Sequence, residues 1–238
     1  MKDLIQSFKK AIEEGYSFKG ESIMLGVPLY DGKVVENLTV SIPLKTFNRH
    51  GLIAGATGTG KTKTLQAIAE GLSEAGVPVL LMDIKGDLSG LAAKGSINDR
   101  VTERAQKTGI TFIPKSFPTE LLSISEEKGV RLRSTVIEFG PVLFSKVLGL
   151  NDTQSGLVSL IFKFCDDNRL PLLDLKDFKK VLQYISDEGK AKIEKEYGNI
   201  STTSSATILR KVIDLEQQGA NLFFGEKSFD VEDLIRND

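Results

Sequence analysis

Apolar residues in the first half of the chain occur in short runs separated by turn-forming residues. Residues 21–42 hold two β-prone runs on either side of Tyr-Asp-Gly, a tight-turn signal, and so predict a β-hairpin. The apolar runs at 50–55 and 77–83 predict short buried strands. Between them, residues 61–75 place apolar side chains on one helical face and stop at Gly76, which predicts an α-helix. The order strand, helix, strand indicates a βαβ unit, and hence a parallel sheet with a right-handed crossover.

The pattern is weaker at the N-terminus and in the middle of the chain. Residues 4–12 carry apolar side chains at helical spacing with charges between them, so a helix is expected before the hairpin. Residues 97–107 favour a helix and 110–113 a strand, whereas 130–139 alternate like a strand at the edge of the fold.

From Pro141 onward the apolar positions recur at helical spacing. Asp174 and Ser201 are suited to cap the N-termini of two of these helices. Three apolar stripes follow one another along the chain: Leu157, Leu160, Ile161 and Phe164; Leu175, Phe178, Leu182 and Ile185; Ile208, Leu209, Val212 and Ile213. We therefore predict a helical subdomain over residues 141–238, after a core over 1–140.

Composition excludes several classes of protein. The 238 residues are 40% hydrophobic, enough to bury a substantial core, and 31 basic against 32 acidic residues leave a net charge of -1. The net charge therefore does not indicate a nucleic-acid-binding surface, and any contact with DNA must involve a local group of residues. Cys165 is the single cysteine and lies in an apolar run, so we expect a buried, inert thiol and no disulfide framework or cysteine-based zinc site. No signal peptide or membrane span is apparent, and a cytoplasmic location is predicted.

The strongest chemical signal is the stretch GATGTGKTK, residues 55–63, which we call the glycine loop. Gly55, Gly60, Lys61 and Thr62 match G-x-x-x-x-G-K-[ST], in which glycines let backbone N–H groups approach phosphates at a helix N-terminus. Lys61 would reach the β- and γ-phosphates, and the Thr62 hydroxyl would ligate Mg²⁺. The predicted nucleotide-binding residues are Gly55, Ala56, Thr57, Gly58, Thr59, Gly60, Lys61, Thr62 and Lys63. The predicted fold class is α/β: a P-loop NTPase core with a partial parallel sheet, preceded by a β-hairpin and followed by an α-helical subdomain.

Lys61 and Asp83 are the two candidate catalytic residues. Asp83 is chosen because it ends an apolar run, as metal-binding aspartates do in nucleotide hydrolases. It is either the acid that holds Mg²⁺ or, as we favour, a polar residue at the strand end that lines the active-site crevice without holding the metal. The sequence Asp-Ile-Lys-Gly also resembles a GTPase element, but no N-K-x-D motif follows, which argues against GTP. Asp87 is interpreted as the cap of a turn.

Two further residues allow either a structural or a catalytic interpretation. His50, the only histidine, favours a structural hydrogen bond across the predicted strand edge over a catalytic role. Arg210 favours a solvated or ion-paired position over an arginine finger that acts on a neighbouring subunit. The lysines at 179–184 and 190–195 could face DNA, but a solvated helical face is favoured.

The segment NRHGLIAGATGTGKTKTLQ, followed by GVPVLLMDIKGDLSGLA, resembles the bacterial HerA-like helicase/ATPase family, within the HerA–FtsK group of DNA motors. The pieces LNDTQSGLVSLIF, LLDLKDFKKVLQY, YGNISTTS and LEQQGANLFFGE resemble the middle region of that family. The resemblance implies an ATPase with bound ATP and Mg²⁺ that assembles as a ring, commonly a hexamer, and moves on double-stranded DNA. Carried over by position, the family's phosphate-binding loop falls on residues 55–62.

One expected element of that family has no counterpart in the sequence. Family members carry, well downstream, an apolar strand that ends in Asp-Glu and supplies the metal-holding and catalytic acids, whereas this sequence ends at VEDLIRND. The expectation is a piece of a longer protein that ends before this strand, binds ATP weakly and hydrolyses it very slowly. A member that binds without turnover is the alternative to truncation. Rival functions are a small-molecule kinase and a non-enzymatic nucleotide-binding or ring-assembly module.

Overall fold

A computed structural model describes residues 2–235, with Lys2 described by its backbone alone. The chain divides into two compact units between Thr119 and Glu120. We call residues 2–119 the glycine-loop unit and residues 120–235 the helical unit, and each is described by itself. None of the helices in these described residues combines the length and the apolar character needed to cross a membrane.

The glycine-loop unit begins with a helix and two nested antiparallel strand pairs. The bounds are α1 (Lys2–Tyr16), β1 (Ser22–Gly26), β2 (Leu29–Tyr30), β3 (Lys33–Val34) and β4 (Val40–Pro43). β1 pairs with β4, and β2 pairs with β3 inside them. The turn residues Asp31 and Gly32 have φ angles of 50° and 73°, as a two-residue hairpin turn of type I′ requires. The predicted hairpin and N-terminal helix are confirmed.

Helix α2 (Lys61–Glu74) begins within the last three residues of the glycine loop and packs on β1. Its buried face consists of Gln66, Ala69 and Leu72. Gly71 comes so close to β1 that a β-carbon there would lie 3.1 Å from the Ile23 side chain. The helix ends as predicted, since Gly76 adopts a φ of 73° directly after the C-cap residue Ala75.

The two strands predicted on either side of α2 are wrong. Residues 50–55 and 77–83 form no strand, and their apolar side chains are largely exposed, Leu52 by 89% and Met82 by 88%. The physical reason is that a strand is stable only when a neighbour accepts and donates its backbone hydrogen bonds. Among residues 2–119, β1 to β4 pair only with one another, and the strand predicted at 110–113 does not form either. The βαβ unit and its parallel sheet are therefore absent from the described residues, which instead form a mixed α/β structure with small sheets.

The rest of this unit consists of two 3₁₀ turns and one helix. The turns cover Leu44–Thr46 and Ser89–Ala92, and α3 (Asp99–Thr108) confirms the helix predicted at 97–107. The Asn98 side chain caps α3 by accepting the N–H of Val101, and Gly109 ends it with a φ of 67°. None of the residues of α3 is buried, so this helix depends on its caps rather than on a core.

In the helical unit, the predicted strand at 130–139 is wrong beyond its first two residues. Only β6 (Val130–Arg131) is extended, in a short parallel pair with β5 (Leu122–Ser123). The chain then enters α4 (Val136–Val147), because Thr135 and Glu138 form a reciprocal capping box that starts a helix there. α4 bends at Gly140, whose φ is 76°, just before Pro141.

The remaining helices enclose a continuous core. They are α5 (Asp152–Asp167), α6 (Leu175–Ser186), α7 (Lys190–Tyr197) and α8 (Thr202–Gln217). Asp174 and Ser201 cap α6 and α8 as predicted. Of the three predicted stripes, the one on α6 is completely buried, whereas Ile213 at the edge of the α8 stripe is 40% exposed. Aromatic rings join the core, with the centroids of Phe144 and Phe178 4.8 Å apart.

Candidate functional site

The glycine loop has a local reason for each of its glycines. Gly58 and Gly60 adopt φ angles of 81° and 99°, a left-handed region that glycine enters without strain. At Gly55, a β-carbon would lie 2.5 Å from the Thr59 hydroxyl oxygen, so the backbone there must approach closely. The predicted spacing of glycines thus corresponds to a loop that larger residues would distort.

Polar groups of the loop converge on the carbonyl of Ala56. The Lys61 ammonium donates to this oxygen at 2.7 Å, and the Thr59 hydroxyl donates to it at 2.8 Å. Thr57 lies exposed in the turn that follows. The loop therefore holds a cationic group beside its own backbone before any ligand is bound.

The start of α2 is suited to an anion. Lys61 is its first residue, Gly60 is its N-cap, and no side chain caps the free N–H groups of the first turn. These groups carry the positive end of the helix dipole. A phosphate group fits this set of donors, because the loop glycines, the Lys61 ammonium and the helix N-terminus all favour an anion at one place.

The Thr62 hydroxyl contacts an acid that sequence reasoning assigned to a turn. It donates to Oδ2 of Asp87 at 3.2 Å. One helical turn later, the Gln66 amide donates to the Asp87 carbonyl at 2.9 Å, and Lys63 donates to Gln66 Oε1 at 2.8 Å. The signal that could have found Asp87 is Gly86, whose φ of 77° permits the sharp turn ahead of it.

Asp83 organises the segment that carries Asp87. We call residues 83–89 the acid loop. Oδ1 of Asp83 accepts the backbone N–H groups of Lys85, Gly86 and Asp87, and Oδ2 accepts those of Leu88 and Ser89. Desolvation opposes its ionisation, but these backbone hydrogen bonds together outweigh it and hold the pKa of Asp83 below its ordinary value. Both oxygens are thus engaged by backbone, and a catalytic role for Asp83 stays a prediction.

A metal at this site would depend on groups beyond protein acids. Among the described residues, no cluster of three or more histidine, cysteine, aspartate or glutamate side chains could hold a metal ion. Hydroxyl and carboxylate oxygens such as those of Thr62 and Asp87 are the donors that Mg²⁺ prefers, and the ion usually combines one or two of them with phosphates and water. The donor chemistry therefore fits Mg²⁺ only together with a bound phosphate.

Two other residues with a proposed role lie in ordinary environments. His50 is exposed, and the strand edge across which it was expected to hydrogen bond does not form. Arg210 is exposed on α8 and donates to the Thr207 hydroxyl at 3.3 Å.

Lys179 and Cys165 lie in structural environments. Lys179, in the first lysine segment, is ion-paired to Glu216 at 2.6 Å. The Cys165 side chain is fully buried, as predicted, and its desolvation, with the nearby charge of Asp177, raises the pKa of the thiol to about 11.

Comparison with known proteins adds a family. Neither the curated proteins nor the solved structures contain a significant match to the chain. The protein family described as helicase HerA-like C-terminal matches residues 31–238, a range that includes the glycine loop, the acid loop and the helical unit. Since this match spans most of the sequence, the chain belongs to the HerA-like helicase C-terminal family.

Proposed function

We propose that the chain binds ATP with Mg²⁺ in the glycine loop, as part of an ATPase that couples hydrolysis to movement on double-stranded DNA. The observation that carries the proposal is the convergence at the start of α2. There the Lys61 ammonium, an uncapped helix N-terminus and glycines in left-handed conformations meet. Membership of the HerA-like family supports the motor function and a ring, commonly of six subunits.

Each group of the loop has a distinct task in this proposal. The N–H groups of Gly58 and residues 60–62 donate to the phosphates, and Lys61 exchanges its bond to the Ala56 carbonyl for the β- and γ-phosphates. The Thr62 hydroxyl oxygen would be the ligand that this chain supplies to Mg²⁺. When bound, Mg²⁺ neutralises charge that develops on the transferred phosphoryl group.

A nucleotide-binding module without turnover is the second candidate. It is favoured by the engagement of both Asp83 oxygens with backbone N–H groups, which leaves that carboxylate no free lone pair for activating water. Turnover then needs an acid other than Asp83.

Binding of a fluorescent ATP analogue to the chain tests the first step. We expect Lys61→Ala to weaken binding roughly 10- to 150-fold, because hydrogen bonds to charged groups contribute about 1.5–3 kcal/mol. Lys107→Ala is the matched control, since this lysine is exposed on α3 and forms an ion pair with Glu103, away from the glycine loop in sequence. Equal affinity in Lys61→Ala and the unaltered chain would contradict the proposed site.

ATP turnover with and without duplex DNA tests the second step. Stimulation by DNA that is lost in Lys61→Ala supports the motor, whereas tight binding without turnover in either condition supports the second candidate. Phosphoryl transfer from ATP to a nucleoside or nucleotide would instead identify a kinase and overturn both.

A further inference from the structure

The acid loop is held to α2 by two contacts that meet at Asp87. Its carboxylate accepts the Thr62 hydroxyl at 3.2 Å, and its carbonyl accepts the Gln66 amide at 2.9 Å. Thr62 and Gln66 are four residues apart and therefore lie on one face of the helix. Gln66 is only 8% exposed, and Lys63 holds its other amide atom, so the orientation of this amide is defined.

The position of Asp87 is set before any ligand arrives. Asp83 draws the N–H groups of residues 85–89 around its carboxylate, and the buried Leu88 anchors the far side of the acid loop. A side chain that merely capped this turn would accept the turn's own N–H groups. Those N–H groups bond to Asp83, and the Asp87 carboxylate instead reaches Thr62, 25 residues earlier in the chain.

We propose that Asp87 is a positioning residue for Mg²⁺ at the nucleotide site. This inference rests on the proposed function. A hydroxyl has one donor and two lone pairs, so the direction of its hydrogen decides where the lone pairs point. By accepting the Thr62 hydrogen, Asp87 leaves the oxygen lone pairs for the metal and increases the electron density on that oxygen. Its other oxygen, Oδ1, makes no hydrogen bond to the described residues and can accept one from a water on the metal.

The test separates metal-dependent from metal-independent binding. The Kd of a fluorescent ATP analogue is measured in Mg²⁺ and in excess EDTA. The Kd in EDTA divided by the Kd in Mg²⁺ reports how much the metal strengthens binding, and we call this quotient the ratio. In Asp87→Asn the new amide can donate to Thr62 Oγ1 and occupy the lone pair. We expect the ratio to fall roughly 10- to 100-fold, as substitutions beside metal ligands do. Binding in EDTA depends on Lys61 and the loop N–H groups and should change less than about twofold.

Three further variants show whether Asp87 acts through Thr62. In a Thr62→Ala background, Asp87→Asn should lower the ratio less than about twofold further, because the hydroxyl that it orients is gone. Asp99→Asn removes an exposed acid from the start of α3 and should leave both Kd values unchanged. Asp87→Ala, measured in parallel, should lower the ratio less than Asp87→Asn, since alanine donates nothing to Thr62.

The outcomes are distinguishable. A normal ratio in Asp87→Asn overturns the inference, and so does an equal loss of affinity with and without Mg²⁺, which is what a structural role predicts. Tight binding by the unaltered chain that is independent of Mg²⁺ preserves nucleotide binding but removes the role of Asp87. Absence of binding in both conditions overturns the proposed function and the inference together.

Discussion

The two units of the chain differ in how far their apolar side chains are exposed to solvent. In the helical unit, the stripe Leu175, Phe178, Leu182 and Ile185 is buried to 1% exposure or less. In the glycine-loop unit, Leu80 and Met82 belong to the apolar run at 77–83 and are 80% and 88% exposed. A helix satisfies its own backbone hydrogen bonds and needs only a surface to pack on, whereas a strand also needs a neighbouring strand. Apolar side chains are therefore buried in one unit and exposed in the other.

The largest effect is expected at the centre of the helical core. Phe178→Ala removes a fully buried ring that contacts Phe144 and should lower the free energy of unfolding by about 3–5 kcal/mol. Urea unfolding followed by far-UV circular dichroism measures this loss. A cost below about 1 kcal/mol would mean that the helical core is loosely packed in solution.

The buried thiol predicts a dependence on alkaline pH. The pKa of Cys165 rises from its ordinary value of 9.0 to about 11, so the unfolded chain loses this proton before the folded chain does. Stability from this group is complete below pH 9 and is lost as pH rises towards 11, by an amount on the order of 2 kcal/mol. Unfolding of the unaltered chain and of Cys165→Ala is compared from pH 8 to 11. Parallel pH profiles would show that Cys165 is not desolvated.

Two matched helix caps should differ because their helices differ in burial. Asn151 caps α5 and Asn98 caps α3, each by accepting an N–H at 3.0 Å. Asn151→Ala should lower the stability of the helical unit by about 1 kcal/mol, since α5 forms part of the core. Asn98→Ala should only speed amide hydrogen exchange within α3, none of whose residues is buried. An equal loss of global stability in both variants would contradict the contrast between the units.

The smallest effect is expected in the exposed run. Leu80→Ala removes a side chain that is 80% exposed and should change the free energy of unfolding by no more than about 0.5 kcal/mol. The same urea unfolding experiment measures it. A loss of several kcal/mol would show that residues 77–83 are buried in solution, for example as a strand, and would abolish the difference between the units.

Local signals along the chain were the most reliable predictors. The helix at 61–75 is confirmed from its apolar face and Gly76, the hairpin from its Asp-Gly turn, and the caps Asp174 and Ser201 from residue type. Each depends on atoms within a few residues of one another. The prediction of a strand at 130–139 was wrong for a reason that is also local: Thr135 and Glu138 form a capping box that begins a helix within residues 130–139.

The wrong strand predictions before and after α2 have a non-local cause, since a strand needs a neighbouring strand that can be distant in sequence. The runs at 50–55, 77–83 and 110–113 have the composition of strands, but composition does not supply the neighbour that a ladder needs. The site divides in the same way. The glycine motif was recognised from the spacing of its residues, and the role of those residues in binding ATP stays a prediction. Asp87 was interpreted as a turn cap, whereas it contacts Thr62.

The amino-acid sequence alone was enough to predict the family, the glycine loop, and most helices with their ends. Helical periodicity, caps and turns involve only short stretches of chain. The folded chain was needed to show which apolar runs are covered and which acid meets the Thr62 hydroxyl. Burial and side-chain contact depend on residues that are far apart in sequence, as are Thr62 and Asp87. Their approach exists only once α2 and the acid loop have formed and are joined through Gln66.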